Sequence, residues 1–376
     1  MKELQDILQI YRQQPHETAA LATVVKTEGS VYRRAGARML ILPNGASVGS
    51  ISGGCLESDI ACHAQAAIAS GEPRLVTYDA ITTDDLVWGL GIGCNGRVEV
   101  LIEALTPAPH NPLALIDACF SQGQAGVLVT VFQAEHAATK LGAHLLRYPS
   151  GETVSSLQDV ALLDQIRVDA ETVLTQGKSE EKSYRRGTIT ALLEVIRPPV
   201  PLIIFGAGHD AVPMAQFAHA LGWQVTVCDR RPAYATPERF PMADRLLTKR
   251  ADDALEDLPL TCSTAAVIMT HSYLDDRRWL EALLPSDAGY VGMLGPRYRT
   301  ERLLQEIRGG GVDFTPAQLQ RLHAPIGLDI GAETPEEIAI AILSEIRAAM
   351  AGRDGRPLRD RSGPIHERPS VPCLSA

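Results

Sequence analysis

The segment Leu21–Val25 (LATVV) returns almost unchanged as Leu128–Phe132 (LVTVF), and the glycines that follow it return as well. Three pairs of glycines share one spacing of 106 residues: Gly36 and Gly142, Gly45 and Gly151, and Gly71 and Gly177. Self-similarity at a fixed spacing indicates one supersecondary unit that occurs twice. We therefore expect a domain over residues 1–196 that contains two copies of the unit, at about 19–105 and 126–196.

The two copies differ in the residues that could carry chemistry. The first copy contains Gly53–Glu57 (GGCLE), and at the same offset the second copy reads Asp159–Leu163 (DVALL). The first copy also contains Gly91–Gly96 (GIGCNG), in a stretch that the second copy lacks. If these glycines and thiols served only folding, the second copy would need them too. Their loss from the second copy predicts that Cys55 and Cys94 serve a function in the first.

Each copy has an α/β pattern. In the first copy, strands are expected at 19–25, 37–42 and 98–102, with Asn44-Gly45 as a hairpin turn. An Ala-rich helix is expected between them, and Gly71 suits its C-terminal cap. A further amphipathic helix should open the chain, since apolar residues recur there at helical spacing. The second copy repeats this order, so we expect the two halves to pair into one α/β domain.

A proline-rich segment, Arg197–Pro201 (RPPVP), separates the repeat from the rest of the chain and is expected to be a stiff linker. Beyond it, strands and helices alternate, which is typical of a doubly wound parallel sheet, and we expect a Rossmann-like domain over 202–350. Its final helix should begin at Thr334, with a capping box closed by Glu337. The Arg/Pro/Gly-rich end, 351–376, is predicted to be disordered.

A glycine-rich turn follows the first strand of this second domain. Gly206–Ala211 (GAGHDA) has the GxGxxA spacing, and Asp229 ends the next strand, where an acid can bond a ribose hydroxyl. This context predicts a Rossmann fold, whereas dinucleotide binding is a separate claim, because folds outlast their ligands. Arg230 and Arg231 leave three readings open: a 2′-phosphate site, a site for another phosphorylated ligand, or solvated charges.

Three more segments follow strands of the predicted parallel sheet, and ligands bind beyond the carboxyl ends of such strands. They are Thr270–Asp276, Gly292–Arg297 and His323–Gly331. We expect His271, His323, a carboxylate and Arg297 to converge on Gly206–His209, although each histidine could also simply tie loop backbone. An arginine near helix N-termini suits an anionic ligand.

Cys55 stands out among the seven cysteines. It follows two glycines and precedes the predicted helix, whose dipole favours a thiolate. A thiolate is a soft metal ligand, and paired glycines let backbone N–H groups approach a bulky anion. Cys94 lies in a similarly open loop. Cys62, Cys119, Cys228 and Cys262 are expected to be small buried hydrophobes.

Composition excludes several classes of protein. A net charge of −10 and only 5% aromatic residues argue against a nucleic-acid partner. The odd number of scattered cysteines, with no CxxC pair, argues against a disulfide framework and a structural zinc site. The polar N-terminus is unlike a signal peptide, and no run of 18 apolar residues could span a membrane. We expect a reduced, cytoplasmic environment.

These segments together resemble the XdhC/CoxI family, the accessory proteins of molybdenum hydroxylases such as xanthine dehydrogenase and carbon monoxide dehydrogenase. The resemblance covers about residues 20–347. It departs from the family pattern at Tyr32, Asn95 and Ser272. Ser272 follows His271 at a position where an acid is common in the family. A carboxylate–histidine acid/base pair is therefore not supported at this position. The matching stretches are Gly29-Ser30, Gly36–Met39, Gly49–Glu57, Gly93-Cys94, Phe205–His209, Asp229–Pro232, Thr270-His271 and His323–Ile338.

The resemblance implies a chaperone of the molybdenum cofactor (molybdopterin) rather than a turnover enzyme. Such a protein would bind the pterin-bound metal, cooperate with a cysteine desulfurase in its sulfuration and pass it to the apo-hydroxylase. Cys55 falls on the family's Gly-Gly-Cys motif, with Cys55 and Cys94 as metal ligands and Cys55 and His271 as catalytic residues. The candidate cofactor contacts are Gly53, Gly54, Cys55, Glu57, Cys94, Gly206, Gly208, His209, Asp229, Arg230 and Arg297.

Two other readings compete with the chaperone. An NAD(P)-dependent oxidoreductase would use the Rossmann-like domain, with His271 or Asp275 as proton donor, but it leaves the cysteine loops unexplained. In the chaperone reading, the same domain would hold the cofactor's phosphate, or NAD(P) or another nucleotide that regulates release. A scaffold without a ligand would have no use for strained glycine loops that carry thiols.

A repeat-built α/β domain is also compatible with a homodimer.

Overall fold

A computed structural model describes residues 2–13, 18–29, 31–79, 96–135, 139–253 and 255–362. The chain divides into two compact units, and the boundary lies between Pro198 and Pro199, within the proline-rich segment. The first unit holds the internal repeat and the second holds the parallel sheet.

The first copy is a helix followed by a five-stranded antiparallel sheet in the order β3-β2-β1-β5-β4. The helix α2 covers one face of this sheet, where Ile60 and Ala64 pack among the inward residues of β1, β2 and β5. The elements are α1 (Lys2–Gln13), β1 (Ala20–Gly29), β2 (Arg38–Ile41), β3 (Ser47–Gly49), α2 (Glu57–Ser70), β4 (Arg74–Asp79) and β5 (Gly96–Ala104).

The second copy has the same architecture, with the strand order β8-β7-β6-β10-β9 and α4 on the corresponding face. Its elements are α3 (Pro112–Gln122), β6 (Gly126–Ala134), β7 (His144–Arg147), β8 (Thr153–Ser155), α4 (Val160–Gln176), β9 (Glu180–Tyr184) and β10 (Ile189–Ile196). The predicted repeat and α/β class of this half of the chain are thus confirmed.

Strand register shows that the copies are equivalent residue by residue. Thr23 faces Arg38 in the first sheet, and Thr130 faces His144 in the second. The hairpin turns also match, since Gly45 and Gly151 both have positive φ. The helix α3, which the sequence analysis missed, is the counterpart of α1. Its ends carry local signals: the side chain of Asn111 accepts a hydrogen bond from the N–H of Leu113, Pro112 follows at the first helical position, and Gly123 caps the C-terminus.

Two buried side-chain pairs join the copies. Arg38 of the first copy meets Glu194 of the second, with Nη2–Oε2 and Nη1–Oε1 distances of 2.5 and 3.0 Å. In the reverse direction, Nε2 of His144 lies 2.7 Å from Oε2 of Glu103. Arg38 and His144 occupy equivalent positions, and so do the two glutamates, because Leu21 faces Glu103 and Leu128 faces Glu194. The copies therefore meet isologously, as the two halves of a symmetric dimer would.

The second unit contains a six-stranded parallel sheet in the order β13-β12-β11-β14-β15-β16, which confirms the Rossmann-like prediction. Helices α5 and α9 cover one face, and α6 and α7 cover the other. The elements are β11 (Pro201–Phe205), α5 (Ala211–Ala220), β12 (Gln224–Asp229), β13 (Arg245–Thr248), β14 (Ala265–Ile268), α6 (Tyr273–Leu283), β15 (Tyr290–Met293), α7 (Arg297–Gly309), α8 (Pro316–Gln320), β16 (Leu322–His323) and α9 (Pro335–Met350).

Several local predictions have direct outcomes. The capping box of α9 is present, with Thr334 and Glu337 bonded reciprocally. Cys119 and Cys228 are buried, and burial raises the pKa of both thiols to about 12. The prediction of burial is wrong for Cys62 and Cys262, which are exposed. Cys62 faces solvent because the buried stripe of α2 runs through Ile60, Ala64 and Ala67 instead.

The predicted tail begins within the described residues and continues beyond them. Residues 351–362 include a short 3-10 helix at Leu358–Asp360, and 363–376 lie outside the described residues. Within the described part of the chain, no helix combines the length and apolar character that crossing a membrane requires.

Candidate functional site

Cys55 lies in a loop that leads into α2. Its side chain is half-buried, while the preceding Gly53 and Gly54 are exposed. Gly54 has φ 110° and open space on its Cα, so this backbone conformation requires glycine there. The ring of Tyr32 lies over Gly53, 3.7 Å from the position that a Cβ would occupy, and is itself 70% exposed. Cys55 therefore lies at the edge of the core beneath α2, partly packed against it and partly exposed, next to two residues without side chains.

A carboxylate organises this loop from inside. Oε1 of Glu57 accepts hydrogen bonds from Ser50 Oγ and the Ser52 backbone N–H, both at 2.9 Å. Oε2 accepts from Ser52 Oγ and, at 3.2 Å, from the Leu56 N–H. Burial would raise the pKa of Glu57, but these bonds outweigh it and lower the pKa to about 2. Glu57, predicted as a cofactor contact, thus has both carboxylate oxygens engaged by the loop.

Ser52 connects this carboxylate to the thiol. Its buried hydroxyl donates to Glu57 and accepts hydrogen bonds from the N–H groups of Gly54 and Leu56, at 3.1 and 3.2 Å. Sγ of Cys55 lies 3.6 Å from the same oxygen. The hydroxyl of Ser52 already donates to Glu57 and accepts from two N–H groups, so the S–H of Cys55 is a weak additional donor to its oxygen. The serine thus links the carboxylate to the thiol.

The second copy shows what the loop replaces. There α4 begins at Val160, and Asp159 caps it by accepting a hydrogen bond from the N–H of Leu162 at 3.1 Å. Arg185 holds the same carboxylate at 2.9 and 2.7 Å. At the repeat spacing, α2 would begin at Gly54, but it begins three residues later at Glu57. In the first copy, the first turn of the helix is thus opened into the Gly-Gly-Cys loop.

Cys94, the second predicted thiol ligand, lies outside the described residues. Among the residues that the structure describes, no group of three or more His, Cys, Asp or Glu side chains is arranged to hold a metal ion.

A cleft of about 250 Å³ opens in the second unit, at the carboxyl ends of β11, β12 and β14. The order of the strands reverses between β11 and β14, and a doubly wound sheet forms its crevice at such a point. The candidate residues among those that line the cleft are Gly206, Asp229, Arg230 and His271. Arg230 Nε pairs with Asp275 Oδ2 at 2.9 Å.

Asp229 is buried at the end of β12 with both oxygens occupied. Oδ2 accepts from the Ala207 N–H and from Arg231 Nη2, each at 2.8 Å. Oδ1 accepts from the N–H and the Nε of Arg231, at 2.8 and 2.9 Å. Burial would raise the pKa of Asp229, but the bonds from Arg231 and Ala207 outweigh it and hold the pKa below its usual value. The predicted ribose acid is thus engaged by four internal donors.

His271 has a carboxylate partner that the sequence analysis missed. Its Nε2 lies 2.7 Å from Oδ2 of Asp210, a residue of the glycine-rich turn 61 positions earlier. His271 has φ 59°, a left-handed conformation that is uncommon for residues other than glycine. Ser272, which stands where relatives often have an acid, is the N-cap of α6. Its Oγ accepts a hydrogen bond from the Asp275 N–H at 3.4 Å.

The other candidates in this unit do not converge on the cleft. His209 and Arg297 are exposed, and among the described residues neither lines it. His323 stacks on Tyr290 with centroids 4.2 Å apart, and its Nδ1 lies 3.3 Å from Glu345 Oε1 on α9. Burial would raise the pKa of Glu345, but the bonds from His323, Tyr290 and Gly327 outweigh it and lower the pKa. His323 therefore anchors the loop to α9.

Comparison with known proteins agrees with this architecture. The family model described as the XdhC and CoxI family matches residues 13–79 and 119–185, one match in each copy of the repeat. The model described as the XdhC Rossmann domain matches residues 202–346.

Individual relatives cover most of the chain. A Bacillus subtilis (strain 168) protein, named as a probable subunit of xanthine dehydrogenase, is 35% identical over 332 residues, which are 88% of this chain and 92% of that protein. The molybdenum cofactor insertion chaperone PaoD of Escherichia coli (strain K12) is 23% identical over 331 residues, 87% of this chain and 82% of that one. A crystal structure of a xanthine dehydrogenase from Bacillus halodurans is 30% identical, with a TM-score of 0.75 over 94% of this chain and 97% of that one.

Proposed function

Because this chain belongs to the XdhC and CoxI family, we propose that it is an accessory protein of a molybdenum hydroxylase, which binds the molybdenum cofactor and assists its insertion into the apo-enzyme. The name of the Escherichia coli relative, a molybdenum cofactor insertion chaperone, supports this proposal. In this proposal the cofactor is cargo, held for transfer and not retained.

The observation that carries the proposal is the opened helix turn of the first copy. The second copy keeps an ordinary capped helix at the same place, so the fold does not require the loop. Opening it leaves a half-buried thiol beside two exposed glycines. A thiolate is a soft metal ligand, and metal binding requires that the thiol lose its proton. The absence of side chains at Gly53 and Gly54 leaves room for the bulky pterin beside the thiol.

We assign Cys55 one of two chemical roles within this function. It ligates molybdenum during transfer, with Cys94 as a second thiol, or it carries sulfur for the sulfuration of the cofactor. In the second role, a persulfide on a cysteine desulfurase gives its terminal sulfur to Cys55. A new S–S bond then forms at Cys55 as the old one breaks, and the desulfurase keeps a thiol.

The test uses cysteine variants of the whole chain. Purified molybdenum cofactor is equilibrated with the wild type and with Cys55→Ser, Cys94→Ser and Cys62→Ser, and bound molybdenum is measured after anaerobic dialysis. Cys62 is the matched control, because it is an exposed thiol on α2 itself. We expect Cys55→Ser to weaken binding by about tenfold or more, the effect of about 1.4 kcal/mol, while Cys62→Ser leaves it unchanged.

Mass spectrometry separates the two roles. After incubation with the desulfurase and cysteine, a mass increase of one sulfur atom on Cys55 identifies a sulfur carrier, and an unmodified Cys55 with lost molybdenum binding in Cys55→Ser identifies a ligand. If Cys55→Ser binds the cofactor as well as the wild type and still supports sulfuration, the role assigned to Cys55 is wrong.

A further inference from the structure

The glycine-rich turn of the second unit presents the two anchor points of a dinucleotide site. In Rossmann folds, the second glycine lets the backbone approach the pyrophosphate, and an acid at the end of the second strand accepts a hydrogen bond from a ribose hydroxyl. Gly208 and Asp229 hold these positions here. NAD(P) fits only if the space above Gly208 is open and the Asp229 carboxylate can accept a hydrogen bond from the ribose.

The space above Gly208 is filled by the chain itself. Oδ1 of Asp210 lies 2.5 Å from the position that a Cβ on Gly208 would take, so a carboxylate stands where the pyrophosphate would approach. His271 holds Oδ2 of this carboxylate at 2.7 Å, and the side chain of Asp210 is only 13% exposed. Oδ1 is buried and has no hydrogen-bond partner among the described residues. A pyrophosphate would meet both a steric obstacle and a like charge.

The ribose acid is engaged in a similar way. Arg231 and the Ala207 N–H supply all four hydrogen bonds that the Asp229 carboxylate accepts. The guanidinium is also held from its other side, since it lies 3.7 Å from the centroid of the Tyr234 ring. A ribose hydroxyl would have to displace a bidentate arginine, which is the strong form of such a pair.

The first glycine of the turn has a reason to be present without a dinucleotide. A side chain at Gly206, which has φ 117°, would collide with the backbone carbonyl of Met269. At Gly208 a Cβ would meet the end of the Asp210 side chain and no backbone atom. Packing inside the unit thus explains Gly206.

From these contacts we propose that the second unit does not bind NAD(P) at its glycine-rich turn. The Asp210 carboxylate lies where the pyrophosphate would approach Gly208, and Arg231 takes up the hydrogen-bonding capacity of Asp229, the acid that would bind the ribose. The chain's own carboxylate and guanidinium close the site. The inference is independent of Cys55 and of the cofactor cargo, and it removes both anchor points on which an oxidoreductase reading depends.

The test is a fluorescence titration of the full chain with NADH and with NADPH. We expect no saturable binding by the wild type up to about 1 mM nucleotide. Asp210→Gly removes the charge and bulk above Gly208, and Arg231→Ala frees Asp229. Each variant should show saturable binding within this range, and the double variant should bind about tenfold more tightly than either. Asp252→Asn, which changes an exposed ion pair with Arg278, is the matched control and should behave as the wild type.

Two results would overturn the inference. One is saturable binding of either nucleotide by the wild type in the micromolar range, which needs no variant to be interpreted. The other is a double variant that binds no better than the wild type, since some other feature would then be the barrier. Asp210→Asn keeps the size of the side chain and removes its charge, so it provides a second measurement if Asp210→Gly does not fold, as judged by circular dichroism. A gain with Asp210→Asn supports the inference, and no gain in any folded variant contradicts it.

Discussion

The first and second copies of the N-terminal unit have the same strand order, the same register and the same glycine-capped helix ends. They differ at the start of the covering helix, where the first copy opens a turn around Cys55 and the second keeps the turn closed with Asp159. They also differ in the side chain that reaches the glutamate of the other copy, an arginine in one direction and a histidine in the other. Features common to both copies are those the fold needs, and features found in one copy point to function or to local adaptation.

The buried pairs between the copies provide the largest expected effect. Arg38 is 3% exposed and keeps its charge at any ordinary pH, so Glu194→Gln leaves a buried cation without its counter-ion. We expect a loss of about 3–5 kcal/mol in the free energy of unfolding. In the second direction the partner is an imidazole, which can hydrogen-bond to an amide oxygen as well as to a carboxylate, so Glu103→Gln should cost about 1–2 kcal/mol. Urea unfolding of the two variants at neutral pH measures both losses, and equal losses would contradict the claimed asymmetry.

Two equivalent glycines give a smaller effect with the same asymmetry. Gly36 has φ 93°, and a Cβ there would lie 2.6 Å from Oε1 of Glu194. Gly142 has φ 74°, and a Cβ there would lie 3.5 Å from Oε2 of Glu103, an ordinary contact. Since alanine is strained at both positions but displaces the ion pair only at the first, we expect Gly36→Ala to cost about 2–3 kcal/mol and Gly142→Ala about 1–2 kcal/mol.

The measurement for the glycines is thermal unfolding of the two variants under one set of conditions. A double variant that combines Gly36→Ala with Glu194→Gln is the control, because the alanine should cost less once the ion pair is already broken. Losses that simply add would show that Gly36 is needed only for its backbone conformation.

Much of the fold could be predicted because its signals are local. Glycine spacing gave the repeat, Asn44-Gly45 marked the hairpin, and the Thr334 capping box marked the last helix, each from a few neighbouring residues. The short edge strands β13 and β16 escaped, since four and two residues carry little periodicity. The helix α3 was missed although its ends carry local signals, Asn111 with Pro112 at the start and Gly123 at the end.

The candidate site was less predictable because its contacts span long stretches of chain. The motif around Cys55 could be found, since the second copy provided a comparison within the same sequence. The Asp210–His271 pair joins residues 61 apart, and Arg38 and Glu194 are 156 apart. Only the strand order and register bring such residues together, and a motif that looks like a dinucleotide site does not reveal that Asp210 and Arg231 fill it.

The smallest effect concerns the carboxylate that holds the Cys55 loop. Glu57→Gln removes the charge that accepts hydrogen bonds from Ser50, Ser52 and the Leu56 N–H, and we expect a cost of about 1–2 kcal/mol at pH 7. The pKa of Glu57 is lowered to about 2 in the folded protein, from 4.5. The stabilising effect of the Glu57 carboxylate is therefore complete at pH values above 4.5, its ordinary pKa, and disappears as the pH falls through its pKa of about 2 in the folded protein. The difference in melting temperature between wild type and variant should shrink between pH 5 and pH 2, a window set by these two values.

Asp159→Asn in the second copy is the matched control for this last comparison. Asparagine caps a helix about as well as aspartate, so the N–H of Leu162 keeps an acceptor while the ion pair with Arg185 is lost. We expect a cost below about 1 kcal/mol, since Arg185 is partly exposed. The rate at which a maleimide labels Cys55 should rise in Glu57→Gln and stay unchanged in Asp159→Asn. A labelling rate that Glu57→Gln leaves unaltered would mean that the carboxylate stabilises α2 without positioning the thiol, and the opened turn would then lose its connection to Cys55.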